Sequence, residues 1–455
     1  MKKILSLLCL CPLLTMAQSN EDAVMIKRIS DEILTNGKAY DLLHQLTKQI
    51  GGRLAGSPQF AKAVQWGKTT MEQNGGDKVY LQECMVPHWV RGGKDLASIV
   101  SVNQKATNRK LDATALGNSL GNGKPLTANL VLVADFAELE RRKDEVKGKI
   151  VYYNYVFNPT NVQTFVSYGD AGIYRYAGAS RAAKYGAAGV MIRSLTSSTA
   201  NDPHTGAMKY NDSFPKIPAI AIGPRDADYL WELGKQSALK VSMTTSGHFL
   251  PDTIGHNVIA EWTGSEYPDQ YITIGGHLDS WDVNEGATDD GAGVVHTIEV
   301  MRALKAIGYH PKHSIRFVLF ANEENGLRGG TKYAEEAKAK GEKHVFALES
   351  DAGGFTPRGF SIAGSKEQLA KLRNWIPLLA PYGTSFIVDE GGGADIGPLN
   401  KFFGTPYGEL LPDSQRYFDY HHARSDVFEN VNKRELLLGA VNMTALIYLV
   451  DKYGL

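Results

Sequence analysis

The sequence predicts an α/β fold in which a mixed sheet carries helices on both faces and is interrupted by an inserted domain. Strand-like and helical segments alternate from residue 251 to the C-terminus, which is the pattern of a sheet covered by helices. A second group of strand-like segments lies between residues 121 and 250. With 455 residues, 43% of them apolar and 22% charged, the chain is long enough for two or three domains.

The first 17 residues are expected to form a signal peptide. Lys2 and Lys3 precede an apolar run at residues 4–14, and residues 15–17 resemble a small-residue cleavage site. This run contains Pro12 and is shorter than the roughly 20 apolar residues that cross a bilayer. We therefore expect a secreted or periplasmic protein without stable membrane insertion after the signal is removed.

The remaining chain divides into three blocks. Residues 18–120 and 251–455 are expected to form the two parts of one main domain, and residues 121–250 the inserted domain. The boundary at residue 121 follows a Gly-rich polar stretch, Asn118–Pro125. Lys and Arg total 49, as do Asp and Glu, so no electrostatic attraction to nucleic acid is expected.

Side chains that can bind metal follow the strands of the C-terminal block, where each strand ends, or lie in its loops. They are His277, Asp279, Asp289, Glu323, Glu324, Asp351 and the adjacent pair His421 and His422. Ligands in α/β sheets bind beyond the carboxyl ends of strands, so these side chains are expected to face one rim. The other histidines, His204 among them, lack partners at ligand spacing and are assigned no chemistry.

Imidazole nitrogens and carboxylate oxygens are ligands suited to zinc. Two ions could be held if one carboxylate bridges them, and Asp289 is the candidate bridge. Two cations about 3.5–4 Å apart can share and acidify a water while polarising the carbonyl that the water attacks. The residue pattern alone does not choose between His421 and His422.

Two further carboxylates are expected to serve the reaction without bridging metal. Glu323 is expected to face water and substrate, acting as general base and then as acid to the leaving amine, while Glu324 faces the metal. Asp279 lies two residues after His277, so both side chains point the same way in extended backbone. Asp279 is therefore expected to orient the imidazole.

Several motifs resemble the M28 family of co-catalytic zinc peptidases. They are GGHLDSWDVNEGATDDGAG, NEENG, ESDAGG and HHARSD, with GGRLAGSPQFAKAVQ and VPHWVRGG near the N-terminus. The segments VKGKIVYYNY, RAAKYGAAGVMI and IPAIAI are similar to a protease-associated domain. The resemblance covers nearly all of the mature chain. It implies a mixed-sheet zinc-peptidase catalytic domain that a protease-associated domain interrupts.

The resemblance also implies a site and a substrate class. It implies two zinc ions per chain with Glu323 as base and the ligands His277, Asp289, Glu324, Asp351 and His422. His422 is preferred because the family spacing of His, three residues and Asp matches Asp426. Short peptides, particularly dipeptides with free termini, and a homodimer are implied as well. Asp395 in GGGADIGPL is a candidate near the substrate's end, or a cap in a Gly-rich turn.

The sequence thus predicts an exported di-zinc exopeptidase that hydrolyses short peptides through a metal-bridging hydroxide, with Glu323 as general base. Two alternatives remain. A single-zinc aminoacyl transferase similar to glutaminyl cyclases would cyclise an N-terminal glutamine peptide without cleaving it. A catalytically silent, receptor-like binding protein would yield no zinc in a metal assay.

Overall fold

The computed structural model describes the backbone of residues 11–455 and the side chains of residues 20–455. The expected signal peptide, residues 1–17, lies outside the residues whose side chains are described. The described chain contains these strands: β1 Lys78–Val90, β2 Leu96–Val102, β3 Lys105–Leu111, β4 Ala113–Ala115, β5 Leu126–Val133, β6 Ile150–Tyr153, β7 Gly189–Arg193, β8 Ala219–Ile222, β9 Leu239–Thr244, β10 His248–Trp262, β11 Tyr267–His277, β12 His313–Phe320, β13 Lys343–Glu349, β14 Pro357–Ala363, β15 Phe386–Val388 and β16 Tyr407–Pro412.

The α-helices differ widely in length, from single turns to long core helices. In chain order they are α1 Cys11–Asn36, α2 Ala39–Gln45, α3 Pro58–Gln73, α4 Phe136–Arg141, α5 Thr164–Ala183, α6 Pro224–Gln236, α7 Ala292–Ala306, α8 Glu323–Gly326, α9 Arg328–Ala339, α10 Lys366–Asn374, α11 Ile376–Leu379, α12 Gly397–Phe403, α13 Tyr417–Tyr420 and α14 Lys433–Tyr453.

The main sheet joins the two ends of the chain. Its order is β1-β10-β12-β11-β13-β16-β14-β15, and the central strands β12, β11, β13 and β16 run parallel. Phe317 and Leu319 pack with the helices of one face, and Val318 and Phe320 belong to a separate cluster on the other. Alternate side chains of β12 therefore bury against opposite layers. The predicted α/β class, a mixed sheet with helices on both faces, is confirmed.

A second sheet is built from the chain between β1 and β10. Its order is β3-β2-β9-β5-β6-β7-β8-β4, with β5 to β8 parallel. This sheet begins at Leu96, earlier than the boundary expected at residue 121. The difference arises because β3 is exposed at six of its seven positions, so its sequence lacks the apolar alternation that marks a strand.

Helix α14 forms the centre of the main hydrophobic core. Among the described residues it is the one helix long and apolar enough to cross a membrane, yet 83% of its apolar window is buried inside the protein. It packs against α1 and α7. These contacts are those of a core helix, in which the apolar composition serves packing.

Candidate metal centre

The parallel strands at the middle of the main sheet deliver the candidate ligands to one edge. His277 is the last residue of β11, Glu324 lies in the turn after β12, and Asp351 follows β13 by two residues. Asp289 comes from the turn before α7, and His422 from the loop after α13. The five side chains that the sequence singled out as ligands thus meet at the carboxyl edge of the sheet.

Asp289 lies between two groups of these side chains. Its Oδ1 is 3.2 Å from His277 Nε2, and that nitrogen is 3.3 Å from Asp351 Oδ1. Its Oδ2 is 3.1 Å from His422 Nε2, which is also 3.1 Å from Glu324 Oε2. Each carboxylate oxygen of Asp289 therefore faces a separate histidine and a separate second carboxylate.

The spacing of these atoms suits metal ions better than it suits direct ion pairs alone. Ligand atoms around a tetrahedral zinc with bonds of about 2.0 Å lie about 3.3 Å apart, close to the separations observed here. Glu324 Oε1 is buried and finds no hydrogen-bond partner among the described residues. A buried carboxylate oxygen without a partner is costly unless a cation neutralises it. The residues present therefore fit two zinc ions bridged by Asp289.

The geometry distinguishes the adjacent histidines. His422 Nε2 contacts both Asp289 and Glu324 at 3.1 Å, whereas His421 Nε2 lies 3.6 Å from Asp289 Oδ2. The two rings stack with centroids 3.6 Å apart. His422 therefore faces the second ligand group directly, and His421 packs behind it.

Asp279 holds its neighbours through two different groups. Its backbone carbonyl lies 3.0 Å from His277 Nδ1, whereas its carboxylate lies 3.7 Å from that nitrogen. The carboxylate instead accepts hydrogen bonds from the backbone N–H groups of Glu323 and Glu324, at 3.0 and 3.3 Å. The side chain thus fixes the turn that carries Glu323 and Glu324, and the carbonyl faces the imidazole.

Two more buried carboxylates hold ligand backbones in the same way. Asp290 accepts a hydrogen bond from the backbone N–H of His277 at 2.9 Å. Asp426 accepts from the N–H groups of Thr288 and Asp289, at 2.7 and 3.1 Å. The role of Asp426 could not be found from residue type, although its spacing from His422 marked it out.

The site carries more negative charge than its histidines balance. Burial raises the pKa of Glu323 and of Glu324 well above the usual range, and nearby Asp351 and Asp289 respectively add to it. Burial alone would lower the pKa of His277, but Asp351 and the other carboxylates raise it well above its usual value. Carboxylates crowded in this way resist ionisation unless cations are present.

Arg53 is a buried cation beneath the site that the sequence patterns did not single out. It is fully buried, and its guanidinium donates to the backbone carbonyls of Leu278, Glu285 and Gly286 at 2.6, 2.8 and 3.0 Å. Burial lowers its pKa to about 10, while the carboxylate of Asp279 opposes that change. Arg53 therefore ties the loop after β11 to the N-terminal part of the chain.

Replacing Arg53 by Met is expected to destabilise the fold by about 3 kcal/mol, because three buried carbonyls lose charged donors. Urea denaturation followed by tryptophan fluorescence measures the change. Arg225→Met, at an exposed position on α6, is the matched control and is expected to shift the midpoint little. An unchanged midpoint for Arg53→Met would show that these hydrogen bonds do not stabilise the loop.

The second-sheet region also supplies side chains to the site. Arg175 of α5 lies 3.4 Å from His422 Nδ1 and donates to the Tyr168 hydroxyl at 2.7 Å. Burial raises the pKa of Tyr168, to which Asp289 and Glu323 contribute, and Tyr417 lies with its hydroxyl 3.5 Å from the Asp351 carbonyl. The sequence gave no signal for Tyr168 or Arg175, because they lie in a different domain from the motifs.

Asp395 lies fully buried rather than on an open surface beside the substrate. Neither carboxylate oxygen has a hydrogen-bond partner of ordinary geometry among the described residues, and burial raises its pKa to about 8. Its backbone accounts for the close approach of Gly330 in α9. Asp395 is therefore a buried acid behind the metal centre, in a position that the Gly-rich sequence did not reveal.

Comparison with known proteins identifies the chain. Residues 257–447 match the family described as Peptidase family M28. Human Carboxypeptidase Q is 34% identical over 415 residues, which is 91% of this chain and 85% of that protein. The chain belongs to peptidase family M28.

Solved structures agree with this M28 assignment. The Peptidase M28 precursor from Shewanella amazonensis SB2B is 31% identical and superimposes with a TM-score of 0.90, covering 95% of this chain and 97% of that one. BSAP, a zinc aminopeptidase from Bacillus subtilis, shares the fold at 20% identity, with a TM-score of 0.65 and coverage of 90% and 93%. The family resemblance and the enzyme class predicted from the sequence, a metallopeptidase, are confirmed.

Proposed function

We propose that this M28 peptidase is a di-zinc exopeptidase that hydrolyses short peptides, dipeptides in particular. The observation that carries the proposal is the position of Asp289, whose two oxygens lie 3.2 and 3.1 Å from the Nε2 atoms of His277 and His422. With Asp351 beside the first histidine and Glu324 beside the second, this arrangement supplies one ligand group on each side of a shared carboxylate.

When bound, zinc supplies Lewis acidity, which acidifies a water and polarises the peptide carbonyl. The chain's own contribution to proton transfer is assigned to Glu323. Its backbone N–H is fixed by Asp279 at 3.0 Å, and its side chain is only partly buried, so it borders the open side of the site. The Glu323 carboxylate accepts a proton from the attacking water and returns it to the leaving amine.

Recognition of a free carboxyl terminus is assigned to Arg175. Its guanidinium is held by the Tyr168 hydroxyl at 2.7 Å, and Arg175 Nε is buried without a partner among the described residues. A planar guanidinium pairs with a carboxylate through two parallel hydrogen bonds. The name of the human relative, Carboxypeptidase Q, is consistent with cleavage next to that end.

A panel of dipeptides tests this proposal. The zinc-loaded protein is incubated with free, N-blocked and C-amidated forms of the same dipeptides, and liberated amino acids are measured. We expect cleavage of free and N-blocked dipeptides and strongly reduced cleavage of amidated ones. Efficient cleavage of amidated dipeptides would contradict the role of Arg175, and failure to cleave any of them would contradict the dipeptidase assignment.

An N-terminal glutamine peptide in the same panel addresses the aminoacyl-transferase alternative. Asp351 and His277 give the site a ligand group that a single-zinc enzyme would not need. We therefore expect hydrolysis without cyclisation. A pyroglutamyl product formed without cleavage would reverse this assignment.

The remaining properties rest on the sequence resemblance. We propose that the protein acts as a homodimer after export and that the second sheet is a protease-associated domain. Light scattering of the purified mature chain measures the assembly, with twice the chain mass expected. A single-chain mass at working concentration would contradict the dimer.

A further inference from the structure

We infer that a short segment of the second-sheet region, residues 202–206, positions His422 for metal binding, with His204 as its main positioning residue. The segment lies between β7 and β8, over 200 residues from His422 in sequence. The inference rests on the proposed metal site, because it assigns a role to residues that hold one of its ligands.

The backbone of His422 adopts a conformation that needs external support. Its φ is +61°, in the left-handed region that residues with a side chain seldom occupy. Both peptide groups beside it are held by the 202–206 segment. The His204 ring nitrogen Nδ1 lies 2.7 Å from the His421 carbonyl, and the Thr205 N–H donates to the His422 carbonyl at 2.9 Å.

The same segment contacts the imidazole ring of His422. The Thr205 carbonyl lies 3.3 Å from His422 Nδ1, and it can accept the proton carried there. A proton on Nδ1 leaves Nε2 free as an acceptor, which is the atom that faces Asp289 and Glu324. The ring orientation is therefore fixed by a carbonyl outside the main domain.

The loop beyond His422 is anchored by Asp202. Its carboxylate accepts hydrogen bonds from Arg424 Nε at 2.8 Å and from the Ser425 N–H at 3.0 Å. His204 itself is only 3% exposed, and its backbone N–H donates to Ser194 Oγ at 2.9 Å. A rigid residue of the second-sheet region thus grips a loop that would otherwise have to hold a left-handed turn alone.

The space around His422 is closed on the same side. Gly206 has a φ of +125°, and a Cβ built there would lie 2.6 Å from His422 Nδ1. Only glycine lets the backbone approach the ring this closely. The 202–206 segment is therefore shaped to the histidine as well as bonded to it.

Two variants of His204 in the full mature chain test the inference. In His204→Ala the donor to the His421 carbonyl is lost, whereas the amide of His204→Asn can donate to the same carbonyl. Zinc affinity is measured by titration against a competing chelator. For His204→Ala we expect one of two ions to bind about 10- to 100-fold more weakly, and we expect His204→Asn to recover much of the loss.

His248→Ala is the matched control. His248 is exposed, and its Nδ1 also contacts a backbone carbonyl, that of Ser246 at 2.9 Å, so the variant removes a similar contact elsewhere. It is expected to bind both ions as the wild type does. The melting temperature of each metal-free variant is recorded, since a purely structural role would lower it without changing the affinity for one ion selectively.

Unchanged zinc affinity in a folded His204→Ala variant would overturn the inference, as would His204→Asn binding no better than His204→Ala. If His204→Ala does not fold, Asp202→Asn carries the test, because it weakens the other anchor of the loop. Unchanged affinity in that variant would likewise overturn the inference. A wild-type protein that binds fewer than two ions would instead contradict the proposed function, so the two failures are distinguishable.

Discussion

Replacing Glu323 by Gln is expected to lower kcat/KM for a dipeptide by about 1,000-fold or more while both zinc ions stay bound. The amide has nearly the same shape but cannot accept a proton from the attacking water, and general acid–base catalysis is typically worth 10²- to 10⁴-fold, roughly. The candidate metal contacts belong to Glu324 and not to Glu323, so the ligand groups remain complete. Steady-state kinetics and zinc content measured on the same sample test both halves of the expectation.

Glu335→Gln is the control for this variant. Glu335 is exposed on α9, so the same chemical change is made without touching the metal centre. Its kinetics should match those of the wild type. Turnover of Glu323→Gln within about tenfold of the wild type would remove Glu323 as the general base.

Asp289→Asn is expected to weaken binding of both zinc ions by more than about 100-fold and to reduce hydrolysis below detection. Altering a group that only orients a ligand typically costs 10- to 100-fold in affinity, roughly, and a bridging ligand should cost more. The amide keeps one acceptor oxygen and turns an NH₂ group towards the other side. Because His277 and His422 lie on opposite oxygens, one of the two groups must then face a donor.

Chelator competition followed by elemental analysis measures this effect. Asp144→Asn is the matched control, since Asp144 is exposed in the 3-10 turn Lys143–Glu145. It should retain the zinc of the wild type. Loss of one ion alone in Asp289→Asn, with the other held at wild-type affinity, would show that Asp289 does not bridge.

The sequence was informative wherever function coincides with the end of a strand. His277 and Asp351 follow buried apolar segments that are recognisable in isolation, and parallel strands end at one edge whatever their order in the sheet. The α/β class and the clustering of the candidate ligands could be predicted for this reason. The pairing of Asp289 with both histidines could only be expected as a hypothesis, since it depends on side-chain distances.

The sequence was uninformative where the two sheets meet. His204 and Arg175 lie in a segment without ligand spacing, and they reach His422 only because the second sheet packs over the loop after α13. The distinction between His421 and His422 also depends on this contact, since a left-handed turn directs one ring towards Asp289. Periodicity describes local burial, so it carries no information about such contacts.

The start of the second sheet illustrates the same limit. Strand β3 is almost entirely exposed, and its side chains give no alternating pattern. What holds it in the sheet is backbone pairing with β2, from Ala97 opposite Leu111 to Val102 opposite Lys105. Hydrogen bonds of this kind do not depend on residue type, so the boundary at residue 121 could not be corrected from composition alone.

Anomalous diffraction from crystals of the zinc-loaded protein, recorded on both sides of the zinc absorption edge, tests the central claim most directly. We expect two peaks about 3.5–4 Å apart, one beside His277 and Asp351, the other beside Glu324 and His422, with Asp289 between them. A single peak, or zinc bound elsewhere while these five side chains remain without metal, would contradict the account.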